Sequence, residues 1–164
     1  MDRLTLRRVE PGEWERVRSI RLRALADSPD AFGTTLAEDT ARPLREWRAR
    51  LESPGSATFI ATADGRDAGI AFGRSYDEVE GAAGLFGMWV APEARRTGVA
   101  GALVAAVVSW ARTEGYARLL LDVADTNLPA VRFYESRGFA PTGTTGTLPP
   151  PREHVLEHQR ALRL

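Results

Sequence analysis

The stretch RRTGVAGAL, which begins at Arg95, carries the clearest chemical signal in this 164-residue sequence. At the start of a helix about four backbone N–H groups lack intrahelical partners, and that end carries about half a positive charge. Gly98 leaves room for a ligand beside the backbone, while Ala100 and Gly101 keep the next positions small. Arg96 adds a second cation. The stretch predicts a phosphate-binding turn or, as the simpler alternative, a helix start with solvated arginines.

Several other chemistries are excluded by residues that the sequence lacks. All 22 basic residues are arginine, so a P-loop, Schiff-base chemistry and self-acylation on lysine are excluded. The sequence has no cysteine, which excludes disulfides, thiolate metal sites and a cysteine nucleophile. The dinucleotide fingerprint G-x-G-x-x-G does not fit residues 98–103, which read GVAGAL. We predict no metal site.

The elements that position this turn follow from the apolar pattern. It predicts a strand over 85–91, a helix over 98–113 and a buried strand over 118–124. In such a strand–helix–strand unit the two strands are parallel neighbours, joined right-handedly. The turn then lies at the carboxyl end of the first strand, where ligands of α/β proteins usually bind. Gly87 indicates a bulge or a close backbone approach within that strand.

The remaining segments complete one mixed α/β domain, predicted over residues 1–164. The predicted order is β-α-α-β-β-β-α-β-α-β-β. The other predicted segments are a strand over 4–9, a helix over 12–26, a loop over 27–39, a helix from Pro43 to about 53, strands over 57–63 and 67–76, a connection over 77–84, a helix from Asn127 to Gly138, and last strands over 139–143 and 154–164.

Composition limits the partners of this domain. Hydrophobic residues make up 43% and charged residues 27% of the chain, as in ordinary globular proteins. The formal net charge is zero and acids interleave with the arginines, which argues against a nucleic-acid binder or an anionic membrane partner. No apolar run resembles a signal peptide or a membrane span, so we expect a cytoplasmic protein.

Two motifs together resemble the GNAT acyltransferase superfamily. VAPEARRTGVAGALV (90–104) resembles the acyl-CoA motif Q/R-x-x-G-x-G/A, and NLPAVRFYESRGF (127–139) is similar to the second motif, Asn-x-x-Ala-x-x-x-Tyr followed by Gly-Phe. The motifs have the expected separation, and the element order matches over nearly the whole chain. The resemblance implies a GNAT-like fold with splayed central parallel strands. It also implies an N-acetyltransferase that moves an acetyl group directly from acetyl-CoA to an amine; the acceptor is left open.

The resemblance further implies a set of cofactor-binding residues. The N–H groups of residues 96–101 would bind the pyrophosphate, backbone groups near Trp89 and Val90 would bind the pantetheine amides, and Asn127 would meet the pantetheine. Asn127 is equally natural as a helix N-cap, and Phe133 as plain core. The complete predicted set is Trp89, Val90, Arg95, Arg96, Thr97, Gly98, Val99, Ala100, Gly101, Asn127, Ala130 and Phe133.

Tyr134 and Glu80 are the catalytic candidates. A thiol has a pKa of about 8.5 and a phenol one of about 10, so Tyr134 could share a proton with the leaving sulfur. The alternative role for Tyr134 is an aromatic residue of the core. Strand 85–91 lacks the acidic residue that some relatives use as the base, and Glu80 is the nearest candidate, directly or through water. Surface charge is the alternative for Glu80. The resemblance also implies that the N–H of Val90 stabilises the oxyanion.

The acceptor side and the assembly are less constrained. The acceptor side would come from the first helix, the loop over 27–39, the connection over 77–83 and the loop over 144–152. Arg21, Phe32 and Trp47 are possible contacts. The expected partners are acetyl-CoA and an amine, with a homodimer possible. A domain that binds acyl-CoA without turnover is the alternative function.

Overall fold

The computed structural model describes residues 3–164 and contains one seven-stranded mixed sheet with helices on both faces. The strands are β1 (Leu4–Arg8), β2 (Ala57–Ala63), β3 (Arg66–Ser75), β4 (Ala82–Val90), β5 (Arg118–Ala124), β6 (Ala140–Thr147) and β7 (Leu156–Arg163). The helices are α1 (Trp14–Asp27), α2 (Leu36–Ala41), α3 (Leu44–Glu52), α4 (Val99–Thr113) and α5 (Leu128–Ser136). The strand order is β1-β2-β3-β4-β5-β7-β6, and β4 and β5 are parallel while the other neighbours are antiparallel. The mixed GNAT-like fold predicted from the sequence is confirmed.

Two apolar clusters fix the helices to the sheet. On one face, the α4 stripe that contains Val99, Leu103 and Val107 packs with alternate residues of β4 and β5. On the other face, Val17 and Ile20 of α1 pack against the opposite side of β2, β3 and β4. Successive residues of a strand point to opposite faces, so each strand of the sheet centre contributes to both clusters.

The region predicted as a loop over 27–39 contains secondary structure. A 3-10 turn covers Pro29–Ala31, and α2 begins at the cap Thr35. Thr35 accepts a hydrogen bond from the Glu38 N–H, and the Glu38 carboxylate accepts one from the Thr35 N–H. This reciprocal capping box starts a helix that is too short to be evident from periodicity. The loop prediction was therefore wrong for residues 36–39, the part of the predicted loop that lies in α2.

The parallel strands β4 and β5 separate after a short paired stretch. They pair only between Ala82–Gly84 and Arg118–Leu120, although β4 runs on to Val90 and β5 to Ala124. Gly87, with φ of 57°, lies where the β3–β4 register shifts by one residue, which is a β-bulge. We call the gap between residues 85–90 of β4 and residues 121–124 of β5 the wedge. The predicted splay is present, and β4 begins at Ala82, within the segment 77–84 that was predicted as a connection.

Among the described residues, none of the helices combines the length and the apolar character that crossing a membrane requires.

Candidate active site

The edge of β4 that faces the wedge offers a free backbone donor. The N–H of Ala91 donates to the carbonyl of Ala68 at 2.8 Å, across the side that faces β3. Because successive N–H groups of a strand point to opposite edges, the N–H of Val90 points into the wedge and that of Trp89 points to β3. Of the two predicted backbone positions, Val90 therefore faces the wedge.

The turn before α4 presents further N–H groups at the mouth of the wedge. Arg96 and Gly98 have left-handed φ values of 63° and 91°, which turn the chain directly into the helix. The first backbone bond of α4 runs from the N–H of Ala102 to the Gly98 carbonyl at 3.1 Å. The N–H groups of Val99, Ala100 and Gly101 precede it and have no upstream partner within the described chain. A Cβ at Gly98 would meet nothing within 4 Å, so the backbone is open to a ligand.

Arg95 and Trp89 direct their side chains away from this turn. The Arg95 Nε donates to the Val90 carbonyl at 3.0 Å, and its Nη2 contacts the Asp27 carboxylate at 2.6 Å. Trp89 Nε1 donates to the same carboxylate at 3.0 Å. The hydrogen bond from Trp89, followed by those from Ser28 and Arg95, lowers the pKa of Asp27. These contacts join the end of β4 to α1. Both arginines are exposed, but only the Arg95 guanidinium is engaged by Asp27, which leaves Arg96 as the cation available to a ligand at the turn. The Thr97 hydroxyl donates to the Ala94 carbonyl and helps to hold the turn.

Arg137 is a cation at this turn that the sequence analysis did not identify. Its guanidinium lies against Gly101, where it would meet any added Cβ, and it packs 5.3 Å from the centre of the Phe133 ring. A side chain at 101 would displace the end of the exposed Arg137 side chain from this place. The only sequence signal is the position of Arg137 just before the Gly-Phe pair of the second motif.

The first turn of α5 brings the residues of the second motif to the same side of the sheet as α4. Asn127 is the N-cap, and its side chain accepts a hydrogen bond from the Ala130 N–H at 3.4 Å. The capping role that was left open for Asn127 is therefore present. Ala130 and Phe133 are half-buried and pack against the α4-side cluster.

Tyr134 reaches the wedge from α5. Its ring is buried between Phe133 and Phe139, both at edge-on angles with centroids 5.4 and 5.7 Å away. Its hydroxyl donates to the sulfur of Met88, on the wedge part of β4, at 3.8 Å. Burial raises the pKa of Tyr134, so the phenol keeps its proton across the physiological range. The only hydrogen-bond partner of this hydroxyl in the described chain is a weakly accepting thioether.

Glu80 does not join this group. It is exposed in the turn that precedes β4, at the end where β4 and β5 are paired. Met88 is six residues beyond Ala82, or about 20 Å along a strand. The carboxylate of Glu80 is therefore too far from the Tyr134 hydroxyl to act on the same reacting group.

A cleft of about 530 Å³ opens on the opposite face of the wedge, and we call it the acceptor cleft. The three predicted contacts Arg21, Phe32 and Trp47 all line it. Its other lining residues come from α1, α3, β2, β3, β4, β5, β7 and the adjoining loops; they include Arg50, Phe72, Arg74, Phe86, Gly87, Asp122, Leu148 and Glu157.

Buried ion pairs and one arginine hold the walls of the acceptor cleft. Asp39 is fully buried and contacts Arg21 at 3.1 Å and Arg42 at 2.8 Å, which fixes α2 against α1. Arg152 donates to the carbonyls of Phe32 and Gly33 at 2.7 and 3.1 Å. These bonds join the β6–β7 loop to the segment before α2, so two loops distant in sequence form one wall.

This combination of a splayed parallel strand pair, a glycine turn and a helix start at its mouth defines the GNAT fold class. The family model described as the acetyltransferase (GNAT) family matches residues 14–139. The chain therefore belongs to the GNAT acetyltransferase family, and this prediction from the sequence is confirmed.

Individual relatives agree with this assignment. The chain is 34% identical over 139 residues to a mycothiol acetyltransferase from Thermobispora bispora, covering 82% of this chain and 45% of that protein. It is 38% identical over 106 residues to an aminoglycoside N(6')-acetyltransferase type 1 from Serratia marcescens, covering 59% of this chain and 71% of that protein. This chain thus spans less than half the length of the mycothiol acetyltransferase that it matches.

A solved structure shares the fold. It is a putative acetyltransferase from Salmonella typhimurium with its cofactor acetyl-CoA, with a TM-score of 0.81 and 16% identity. The match covers 99% of this chain and 94% of that protein.

Proposed function

We propose that this chain is an acetyl-CoA-dependent N-acetyltransferase that moves the acetyl group directly to an amine. The observation that carries the proposal is the convergence on one wedge of three groups. These are the Val90 N–H, the Tyr134 hydroxyl and the first N–H groups of α4. They are the donors that an acyl thioester with a pyrophosphate tail requires.

The turn before α4 fits the pyrophosphate of acetyl-CoA. The N–H groups of Val99, Ala100 and Gly101 lack upstream partners within the described chain, and the space beside Gly98 is open. Arg96 and Arg137 would add positive charge, while the Arg95 guanidinium serves Asp27 instead. The predicted residues Thr97, Ala130, Asn127 and Phe133 would complete the cofactor surface.

Two groups of this chain would act on a thioester bound in the wedge. When bound, acetyl-CoA supplies an activated acyl group and a thiolate leaving group. The Val90 N–H would stabilise negative charge on the carbonyl oxygen of the tetrahedral intermediate. The Tyr134 hydroxyl would donate a hydrogen bond to the departing sulfur, and its raised pKa keeps the proton on the phenol, so Tyr134 would stabilise the thiolate without losing that proton.

Two measurements test the proposal. Calorimetric titration is expected to detect acetyl-CoA binding that weakens as salt is raised, because part of the affinity is electrostatic. A panel containing an aminoglycoside, a polyamine, amino acids and a peptide with a free N-terminus is then screened for CoA release. Absence of acetyl-CoA binding would refute the proposal. Binding without CoA release from any amine would favour a non-catalytic acyl-CoA-binding domain.

The Tyr134→Phe variant tests the role of the phenol. Only a long contact to sulfur is lost, so the fold should be retained. Turnover is expected to fall by about 10²-fold while acetyl-CoA affinity stays within about twofold, since general acids contribute about 10²–10⁴ in rate. Unchanged turnover would assign Tyr134 to packing alone. The homodimer stays a prediction, and the amine panel is what identifies the acceptor.

A further inference from the structure

Asp122 lies on the acceptor side of the wedge. It is two residues beyond Leu120, the last residue of β5 that pairs with β4. Its neighbours Leu121 and Val123 belong to the α4-side cluster, so the alternation of the strand directs Asp122 to the opposite face. There it lines the acceptor cleft together with Gly87 and Phe86 of β4. A side chain at this position is next to the gap where the proposed thioester would lie.

A chain of hydrogen bonds orients the Asp122 carboxylate. The Tyr76 hydroxyl contacts Asp122 Oδ2 at 2.9 Å and accepts from Gln159 Nε2 at 3.1 Å. Because the amide N–H of Gln159 is the donor, the phenol gives its own proton to Asp122. Thr142 in turn fixes Gln159 through a 2.7 Å bond to its amide oxygen. The Tyr76 ring stacks on Phe86, with a 13° angle and centroids 6.0 Å apart, which ties the phenol to β4.

The carboxylate is not neutralised by a protein cation. No arginine or histidine lies within ion-pair distance of Asp122 in the described part of the chain. Burial raises the pKa of Asp122, and the charge of Glu78 adds to that effect, while the hydrogen bond from Tyr76 opposes it. The carboxylate is therefore more basic than an ordinary aspartate.

Other charged groups also face this part of the acceptor cleft. Glu157 on β7 is the diagonal neighbour of Asp122 on the same face, and burial and the charge of Asp122 raise the pKa of Glu157. Arg152 opposes this, but its Nη atoms are already bonded to backbone carbonyls. The further cations that line the cleft are Arg21, Arg50 and Arg74.

We propose that Asp122 binds the cationic amine of the acceptor and removes the proton that this amine must lose before it attacks the thioester. Tyr76 acts as the positioning residue. The inference rests on the proposed acetyl transfer, and it specifies the acceptor as an amine that is protonated in solution.

The proton balance of this step is complete. The N–H bond of the ammonium breaks and an O–H bond forms on Asp122, which passes the proton to solvent through the open cleft. The freed lone pair forms the C–N bond, the C–S bond breaks and its electron pair leaves on sulfur. The second proton lost from nitrogen balances the charge on sulfur, beside the Tyr134 hydroxyl, and gives the free thiol.

The pH dependence of transfer tests the assignment. With the best amine of the panel, wild-type kcat/KM should fall at low pH as Asp122 becomes protonated. Asp122→Asn should lower kcat/KM at pH 7 by about 10²-fold or more. Its rate should then rise with the ionisation of the amine itself, while acetyl-CoA affinity is unchanged. Glu78→Gln, which removes a charge outside the cleft that raises the pKa of Asp122, should keep kcat/KM at pH 7 near wild type and move the acid limb of the profile to lower pH.

The Tyr76→Phe variant separates positioning from structure. Loss of the hydrogen bond that lowers the pKa of Asp122 should move the acid limb of the profile to higher pH. A merely structural role for Tyr76 would lower kcat without moving this limb. If Asp122→Asn keeps the wild-type rate and pH profile, the inference is overturned while the proposed acetyl transfer stands.

If the panel yields no acceptor, the proposed ammonium site can still be tested by measuring the binding of an amine. Phenethylamine, a cation with an aromatic ring suited to the apolar cleft walls, is titrated into the enzyme saturated with CoA. Wild type should bind it at least about tenfold more tightly than Asp122→Asn. Equal binding by the two proteins, or no binding by wild type at millimolar concentration, would overturn the ammonium site. Loss of acetyl-CoA binding itself would instead refute the proposed function.

Discussion

Replacing Gly87 by alanine tests whether the β-bulge shapes the site. A Cβ there would lie 2.7 and 2.9 Å from Phe72 ring carbons and 3.0 Å from Arg21 Nη1. The φ of 57° adds about 1–2 kcal/mol for an L-residue in the left-handed region. Crowding against the ring adds about 1–3 kcal/mol. The free energy of unfolding should therefore fall by about 2–5 kcal/mol, which lowers Tm by about 4–20 °C in a domain of this size.

The same substitution should weaken cofactor binding. The bulge adds the extra residue of β4 just before Met88, and so sets which edge the N–H of Val90 faces. We expect at least a tenfold loss of acetyl-CoA affinity by calorimetry at a temperature where the variant is folded.

Alanine substitutions at two other glycines separate the backbone cost from the crowding cost in the lost stability. Gly81, with φ of 75° in the β3–β4 turn and open space around it, carries only the backbone cost when changed to alanine. Gly84 has no left-handed φ but faces the Phe86 ring, so it carries only crowding. Gly87→Ala should melt below Gly81→Ala, because it adds crowding to the same backbone cost, and Gly84→Ala measures crowding against a ring alone. A Tm equal to that of Gly81→Ala would show that Phe72 yields freely. A lowered Tm with intact acetyl-CoA affinity would refute the link between the bulge and the site.

Two further substitutions test Asn127 and Asp27. Asn127→Ala should lower stability by about 0.5–1 kcal/mol through loss of the N-cap, and Asn127→Ser should restore it. If the amide also binds pantetheine, calorimetry should find acetyl-CoA affinity reduced in both variants; recovery of affinity in the serine variant would leave capping as its whole role. The lowered pKa of Asp27 means that its contribution to stability is present above about pH 4 and is lost as pH falls through the folded pKa. Urea unfolding should therefore find Asp27→Asn less stable than wild type at pH 6, with the gap closing towards pH 3. A constant gap would contradict this sign.

The donor half of the site could be predicted because its parts are continuous in sequence. The splay, the glycine turn and the cap Asn127 lie within β4, α4 and α5, where local patterns report local structure. The start of β4 at Ala82 was missed because small residues give a weak strand signal. The role of Arg95 was missed for another reason: its partner Asp27 is 68 residues away and no local pattern joins them.

Asp122 is an example of a sequence signal for the acceptor side of the site. In the run RLLLDVA it is the one acid, and it stands between buried apolar residues on both sides, so the alternation of the strand turns it to the face opposite Leu121 and Val123. The sequence analysis used this run to place a strand and passed over its aspartate. The hydrogen bond that orients the carboxylate comes from Tyr76, which is 46 residues upstream, so only the folded structure shows this contact.

The difference between the two halves has a physical origin that bears on acceptor choice. One backbone feature, the end of β4–β5 pairing at Gly84 and Leu120, opens the strand edges to which we assign both proposed ligands. Donor binding then needs mainly backbone N–H groups, which tolerate many side chains. The acceptor cleft instead depends on side chains held by long-range contacts, such as Arg152, which bonds carbonyls about 120 residues upstream. Substitutions in those contacts can change the acceptor without changing the donor, so we expect the acceptor cleft to set the specificity of this chain, with Asp122 as the proposed contact to the amine.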